Sequence, residues 1–173
     1  MFFLFFFIYS IGYQSPDYEY ALDASVHAFN YFQEYLHEPY PLSTLQILLS
    51  PNFAPAAMEN FGLIICRKEY LLIEEGANQD LQRRVAYVLS HDIAHQWFGN
   101  LVTNRDWSHV YIQEGLATFL GYMIHSFISF LEISVLKMVI LNYKSWMLFQ
   151  FKIFKLIMNM MYITSVYLLN QQV

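Results

Sequence analysis

Two histidines, His91 and His95, stand four residues apart in a segment without proline. On a helix this spacing places both imidazoles on one face, about one turn apart, so that both can reach one metal ion. Zinc sites that do chemistry usually take three protein ligands and leave the fourth position for water, and Glu114 offers a carboxylate on the next predicted helix. The spacing therefore favours one zinc ion held by His91, His95 and Glu114.

Asp92 directly follows the first of these histidines. In the H-E-x-x-H arrangement this position holds the general base, which takes a proton from the attacking water. Here the arrangement is H-D-x-x-H, and aspartate is one methylene shorter than glutamate. Because a misplacement of about 1 Å can cost on the order of a hundredfold in rate, we predict that metal binding is retained and hydrolysis is severely impaired.

Two helices must position these residues. Apolar and polar residues alternate with a helical period over residues 78–98, and Gly99 then predicts a stop. A second helix is predicted over residues 109–122 and carries Glu114. The two histidines and the carboxylate would thus come from successive helices.

The upstream half predicts one more helix and two strands. Residues 17–37 have a helical apolar spacing that Pro39 and Pro41 end. Residues 45–49 and 61–66 are short apolar runs typical of strands, and a loop over 51–60 joins them. This order of elements predicts a sheet that packs on helices.

Both ends of the chain are apolar. Residues 1–16 fit either a leader or anchor-like segment or a buried strand, since about a dozen apolar residues are too few for a bilayer span of roughly 20. Residues 126–173 contain no glycine or proline and predict an apolar helical tail of unknown role. One hypothesis for both ends is translated non-coding sequence flanking a genuine exon block, because their residues share AT-rich codons.

The overall composition excludes one class of partner. The chain has 173 residues, a net charge of -5 and 57% hydrophobic residues, and its length suits one domain. Its nine Lys and Arg residues are scattered, so nucleic-acid binding is excluded. The single cysteine, Cys66, permits no internal disulfide and no cysteine-based zinc site.

Around the histidine pair the sequence contains a long specific string, H-D-I-A-H-Q-W-F-G-N-L-V-T, which ends at Thr103 and is followed by Q-E-G around Glu114. Upstream, residues 56–60 read A-A-M-E-N. In these two motifs the chain resembles the zinc aminopeptidases of the aminopeptidase N type, whose second hallmark is a G-A-M-E-N loop. The resemblance extends over residues 20–119.

The resemblance implies a thermolysin-like zincin catalytic domain of the α+β class, present in part over residues 17–125, with a mixed sheet packed on helices. It implies a peptide substrate with a free amino terminus, whose α-ammonium would pair with Glu59. It further implies that Ala57, Met58 and Asn60 hold the substrate through the loop backbone as an added strand. The implied activity is the release of amino-terminal residues from peptides.

Several positions depart from the family pattern. Ala56, Asp106 and Tyr111 replace a glycine and two tryptophans, and no tyrosine after residue 126 stands in the context of the family's oxyanion-stabilising tyrosine; the candidates there are Tyr143, Tyr162 and Tyr167. A catalytically inactive zinc-binding homologue or a truncated product is therefore one alternative. A small membrane-associated protein is another, because both ends are apolar. For the same reason we expect a membrane or extracellular location rather than a cytoplasmic one.

Overall fold

The structure is a computed structural model that describes residues 5–10, 18–73, 78–132 and 164–165. Within these residues a four-stranded sheet packs on three helices, which confirms the predicted α+β class. The helices are α1 (Glu19–Leu36), α2 (Gln79–Ala94) and α3 (Val110–Glu132). The strands are β1 (Phe5–Ser10), β2 (Thr44–Ser50), β3 (Ala57–Met58), β4 (Leu63–Arg67), β5 (Val102–Thr103) and β6 (Thr164–Ser165).

The four-stranded sheet is mixed, in the order β1-β2-β4-β3. Strands β1, β2 and β4 are parallel, whereas β3 runs antiparallel to β4 at one edge. Alternate residues of β2 and β4 are buried, as the period of two in a strand requires: Leu45, Ile47, Leu49, Ile64 and Cys66. The short edge strand β3 lies inside the predicted loop 51–60 and leads directly into Glu59.

The amino-terminal apolar run forms a strand over its described part. Residues Phe5–Ser10 pair with β2, in agreement with the strand interpretation. The strand is not fully buried, because Phe5, Phe7 and Tyr9 point to solvent on one face. The other residues of 1–16 lie outside the described part of the chain.

Helices α1 and α2 differ only slightly from their predicted bounds. Helix α1 ends where His37 adopts a left-handed backbone with φ 53°. Helix α2 begins at the N-cap Asn78, whose side chain accepts a hydrogen bond from the backbone N–H of Leu81. It ends at Ala94, four residues before the predicted end, where the N–H groups of Gln96 and Trp97 bond three residues back in tighter turns.

Helix α3 is longer than predicted. It follows a 3-10 turn at Trp107–His109 and runs to Glu132, ten residues past the predicted end, since no proline interrupts it. The predicted tail from residue 126 thus starts as helix, and Thr164–Ser165 pair with β5. The remaining tail residues lie outside the described part.

Among the helices over 18–73 and 78–132, none combines the length and apolarity that a bilayer crossing requires.

Helix α2 packs against both α1 and α3. At Gly121 of α3, a β-carbon would lie 3.3 Å from the backbone nitrogen of His91 and 3.3 Å from the ring of Tyr87. This separation is tighter than ordinary van der Waals contact. A residue without a side chain therefore allows the two helix backbones to approach beside the first histidine.

Candidate metal centre

The three predicted metal ligands converge. The Nε2 atoms of His91 and His95 are 3.1 Å apart, and the Oε2 atom of Glu114 lies 3.7 Å from the first and 3.5 Å from the second. His91 comes from the last turn of α2, His95 follows that helix directly, and Glu114 comes from the second turn of α3. Within the described residues, these three form a group that could hold a metal ion.

The geometry of this group fits tetrahedral zinc. Ligands at Zn–N and Zn–O distances near 2.0–2.1 Å stand about 3.4 Å from one another at the corners of a tetrahedron. The three separations of 3.1, 3.5 and 3.7 Å lie on both sides of that value. Two nitrogens and one carboxylate oxygen are also a donor set typical of catalytic zinc. The side chains therefore suit one zinc ion without rearrangement of the backbone.

His95 is oriented by a bond on the far side of its ring. Its Nδ1 lies 2.9 Å from the carbonyl oxygen of Phe98, and because a carbonyl only accepts, Nδ1 must donate the proton. The lone pair of His95 then lies on Nε2, which faces His91 and Glu114. Its side chain is only 1% exposed, so this orientation is held by the core as well. A hydrogen bond from the ring nitrogen that does not face the metal commonly orients a histidine ligand.

His91 is held in the form that binds metal. Burial, and next the neighbouring His95 ring, lower the pKa of its imidazole. A lowered pKa keeps the ring neutral near pH 7, and only the neutral imidazole offers a lone pair to a cation.

The side chain of Asp92 extends from α2 into the core and reaches β4. Its side chain is nearly covered, with 4% exposed, and its Oδ2 accepts a hydrogen bond from the Cys66 thiol at 3.8 Å. Burial, and next the charge of Glu59, raise the pKa of the Asp92 carboxyl well above its usual range. Burial also raises the pKa of the Cys66 thiol, which stays protonated and able to donate. The sequence predicts neither this contact nor a role for Cys66, because a single cysteine permits no internal disulfide and no cysteine-based zinc site.

Glu59 lies beside the three metal-ligand candidates. Its Oε1 is 3.9 Å from Nδ1 of His95, and its side chain is 20% exposed. Its backbone carbonyl accepts hydrogen bonds from the side-chain amides of Asn100 at 2.7 Å and Gln96 at 3.3 Å. The loop that carries Glu59 is thus attached to the turn that carries His95. Neither amide had been singled out from the sequence, although both lie in the string around the histidines.

A cavity of about 390 Å³ opens next to Glu59. Met58, Glu59 and Asn60 line it on one side, so three of the four predicted substrate-binding residues face the same space. The fourth, Ala57, pairs with Cys66 in the sheet instead and is not among the lining residues. The opposite side is formed by the turn after Gly99, by Arg105 and Trp107 before α3, and by Gln113 in the first turn of α3.

Of the positions that depart from the family pattern, Asp106 lines this cavity, whereas Ala56 and Tyr111 are not among its lining residues. Asp106 accepts hydrogen bonds from the backbone N–H and the hydroxyl of Ser108, and these bonds lower the pKa of its carboxyl. Tyr111 is exposed over 67% of its surface. The three tail tyrosines named above lie outside the described residues.

Comparison with known proteins places these motifs in a family. A model of the peptidase family M1 domain matches residues 20–152. Aminopeptidase M1-D of Oryza sativa subsp. japonica is 42% identical over 106 residues, 61% of this chain and 12% of that protein. The puromycin-sensitive aminopeptidase of Caenorhabditis elegans is 38% identical over 117 residues, 67% of this chain and 12% of that protein.

A bacterial relative shows similar coverage. Aminopeptidase N of Lactococcus lactis subsp. lactis is 37% identical over 106 residues, 61% of this chain and 12% of that protein. The chain therefore spans about 12% of the length of these curated relatives. The family match covers most of the chain and includes both histidines, Glu114 and the loop of Glu59. On these grounds the chain belongs to peptidase family M1.

Proposed function

We propose that this chain carries the metal centre of a zinc-dependent aminopeptidase, with one zinc ion on His91, His95 and Glu114. The single observation that supports this most strongly is the convergence of three atoms. Nε2 of His91, Nε2 of His95 and Oε2 of Glu114 lie within 3.7 Å of one another. Zinc bound there would polarise a scissile carbonyl and acidify a water molecule. The relatives named as aminopeptidases support the same class of reaction.

Glu59 binds the free amino terminus of the peptide in this proposal. Its carboxylate lies within 4 Å of the His95 ring and at the wall of the cavity, so an α-ammonium there sits close to the metal ligands. A carboxylate that is mostly shielded from water forms a stronger bond to an ammonium than an exposed one does. Met58 and Asn60 line the same cavity and contact the first residue of the peptide.

Asp92 acts as the proton acceptor, with impaired efficiency. Its Oδ2 is bonded to the Cys66 thiol in the core, and its side chain is one methylene shorter than glutamate. Both features hold the carboxylate back from a substrate-side water, and misplacement by about 1 Å costs on the order of a hundredfold.

A second candidate function is a zinc-binding homologue that binds peptide ends without cleaving them. The buried contact between Asp92 and Cys66 favours it, because a carboxylate committed to the core is a poor base. Since the chain spans about 12% of the length of its relatives, a truncated product is a related alternative.

The membrane or extracellular location stays a prediction.

The test is metal analysis of the purified chain beside two histidine variants. We expect one zinc per chain in the wild type and none in His95→Ala, because two remaining ligands hold zinc poorly. The matched control is His27→Ala, an exposed histidine on α1, which should keep its zinc. A wild-type chain that stays metal-free in excess zinc would contradict the proposal.

Activity separates the two candidate functions. Zinc-loaded protein is assayed with a chromogenic aminoacyl amide and with its N-acetyl derivative. Slow release from the free-amine substrate alone supports the aminopeptidase. Zinc binding without turnover of either substrate supports the non-catalytic homologue.

A further inference from the structure

Gln96 occupies an unusual position for a polar residue. It directly follows His95 in the turn after α2, and its side chain is fully buried at 0% exposure. A buried amide is costly unless its polar atoms are paired, so its partners define what it does in the fold.

All four hydrogen-bonding positions of this amide are paired. Its Oε1 accepts from the Tyr40 hydroxyl at 3.1 Å and from the Gly62 backbone N–H at 3.0 Å. Its Nε2 donates to the backbone carbonyls of Glu59 at 3.3 Å and Asn60 at 3.4 Å. Three of these four bonds go to the backbone of residues 59–62.

The partners also decide which way the amide points. A backbone N–H can only donate and a carbonyl can only accept, so the oxygen must face Gly62 and the nitrogen must face Glu59 and Asn60. No other side chain of similar length offers an acceptor and two donors in this arrangement. The contact is therefore specific to glutamine.

These bonds connect two parts of the candidate site. Residue 96 is covalently next to the metal ligand His95, and residues 59–62 carry the Glu59 carboxylate. That carboxylate lies 3.9 Å from the His95 ring. Asn100 adds a bond to the same Glu59 carbonyl, but of these two side-chain amides only Gln96 also contacts Asn60 and Gly62.

We propose that Gln96 is a positioning residue for Glu59. By holding the backbone of residues 59–62 against the turn of His95, it sets the distance between the amine-binding carboxylate and the metal centre. That distance determines which peptide bond, counted from the free α-ammonium, reaches the metal ligands. The inference rests on the proposed function, since it requires that Glu59 binds an amine.

The experiment measures how strongly the site prefers a free amine. The probes are an amino-acid hydroxamate with a free α-amine and its N-acetyl derivative, both of which bind zinc through the hydroxamate. Their two dissociation constants are measured by calorimetry on the zinc-loaded full chain. The ratio of these constants reports the Glu59 contact and is independent of turnover.

Two variants remove the bonds of Gln96 in different ways. Gln96→Met has a similar length and removes every polar contact, whereas Gln96→Glu keeps the acceptor and replaces the donor that faces two carbonyls. The matched control is Gln79→Met, an exposed glutamine at the opposite end of α2. Zinc content is measured for every protein.

We expect the free-amine preference to fall about tenfold or more in the Gln96 variants, as for a lost hydrogen bond to a charged group. Zinc content and the affinity for the N-acetyl probe should stay at wild-type values, and Gln79→Met should behave as wild type. A merely structural role for Gln96 would weaken both probes equally.

Each remaining outcome contradicts either this inference alone or this inference together with the proposed function. An unchanged preference in a zinc-holding Gln96 variant overturns this inference alone. Loss of zinc from both variants also overturns it, since Gln96 would then maintain the metal centre itself. A wild-type chain without zinc, or with equal affinity for both probes, overturns the proposed function and this inference together.

Discussion

The two sides of the candidate metal centre differ sharply in burial. On the α2 side, His95 is 1% exposed and the nearby Trp97 is 2% exposed. On the α3 side, Glu114 is 45% exposed and Trp107, just before the helix, is 84% exposed. The difference shows that His95 is positioned by the core, whereas the Glu114 carboxylate is positioned by the course of its helix.

The hydrogen bonds follow the same division. The turn after α2 is bonded to distant parts of the chain, through Gln96 to residues 59–62 and through Trp97 to the carbonyl of Glu38. The segment before α3 is bonded mostly within itself, as between Asp106 and Ser108. Substitutions should therefore be costly on the α2 side and mild on the α3 side.

The largest expected effect is that of Trp97→Ala. The Trp97 ring packs against Phe29, Phe32 and Tyr40 with centroid distances of 5.2–6.3 Å, and its Nε1 donates to Glu38. Truncation leaves a cavity, and we expect the free energy of unfolding to fall by about 3–5 kcal/mol. Urea denaturation of the metal-free chain measures it; a loss below about 1 kcal/mol would remove the contrast between the two sides.

Asp92→Glu should have the next largest effect. The longer arm restores the reach of the base, so kcat/KM should rise about a hundredfold, near 2.7 kcal/mol. Equal rates for wild type and variant would show that reach is not what limits hydrolysis. Kinetics with a chromogenic aminoacyl amide measure the change.

The same substitution tests how tightly the α2 side is packed. An added methylene beside Cys66 should lower the free energy of unfolding by about 1–3 kcal/mol. Adding Cys66→Ala makes room, so the double variant should recover part of that loss. If the double variant is no more stable than Asp92→Glu alone, the longer side chain fits beside Asp92's neighbours without displacing Cys66.

A smaller effect is expected at the start of α2. Asn78→Ala removes the side-chain bond to the Leu81 N–H and should cost about 1 kcal/mol of unfolding free energy. The control Asn78→Asp keeps an acceptor and should cost much less. A larger loss than for Trp97→Ala would contradict the ranking by burial.

The smallest effect is expected for Trp107→Ala. With 84% of its surface exposed, this residue contributes little to the core, and the free energy of unfolding should change by no more than about 0.5 kcal/mol. The comparison with Trp97→Ala uses the same residue type on the two sides. Similar losses at both positions would show that the α3 side is as tightly packed as the α2 side.

The periodic features of the sequence predicted the elements well. Helical spacing and the proline pair placed α1, and the apolar runs placed β2 and β4 within a residue or two. The end of α2 was predicted four residues late, because Trp97 and Phe98 continue the apolar pattern although the N–H groups of Gln96 and Trp97 bond three residues back, in tighter turns. Periodicity describes side chains and does not distinguish a helix from the turn that follows it.

The two histidines of the candidate metal centre were predictable because a spacing of four residues on a helix places both imidazoles on one face. Gln96 and Cys66 were not, since their roles depend on residues far away in sequence, such as Gly62 for Gln96 and Asp92 for Cys66. A two-residue edge strand at Ala57–Met58 is likewise too short to produce a pattern. Contacts of this kind appear only when the chain is folded.

Gly121 lies seven residues after Glu114 on α3, at a point where a β-carbon would lie 3.3 Å from the backbone nitrogen of His91. A methyl group at this point would require the backbone beside His91 to shift by a few tenths of an ångström. Because Glu114 and the two histidines come from these two helices, such a shift would change the separation of the Glu114 oxygen from the imidazole nitrogens, now 3.5 and 3.7 Å. The spacing of the three candidate ligand atoms thus depends on the distance between two helix backbones, which a glycine allows to remain short.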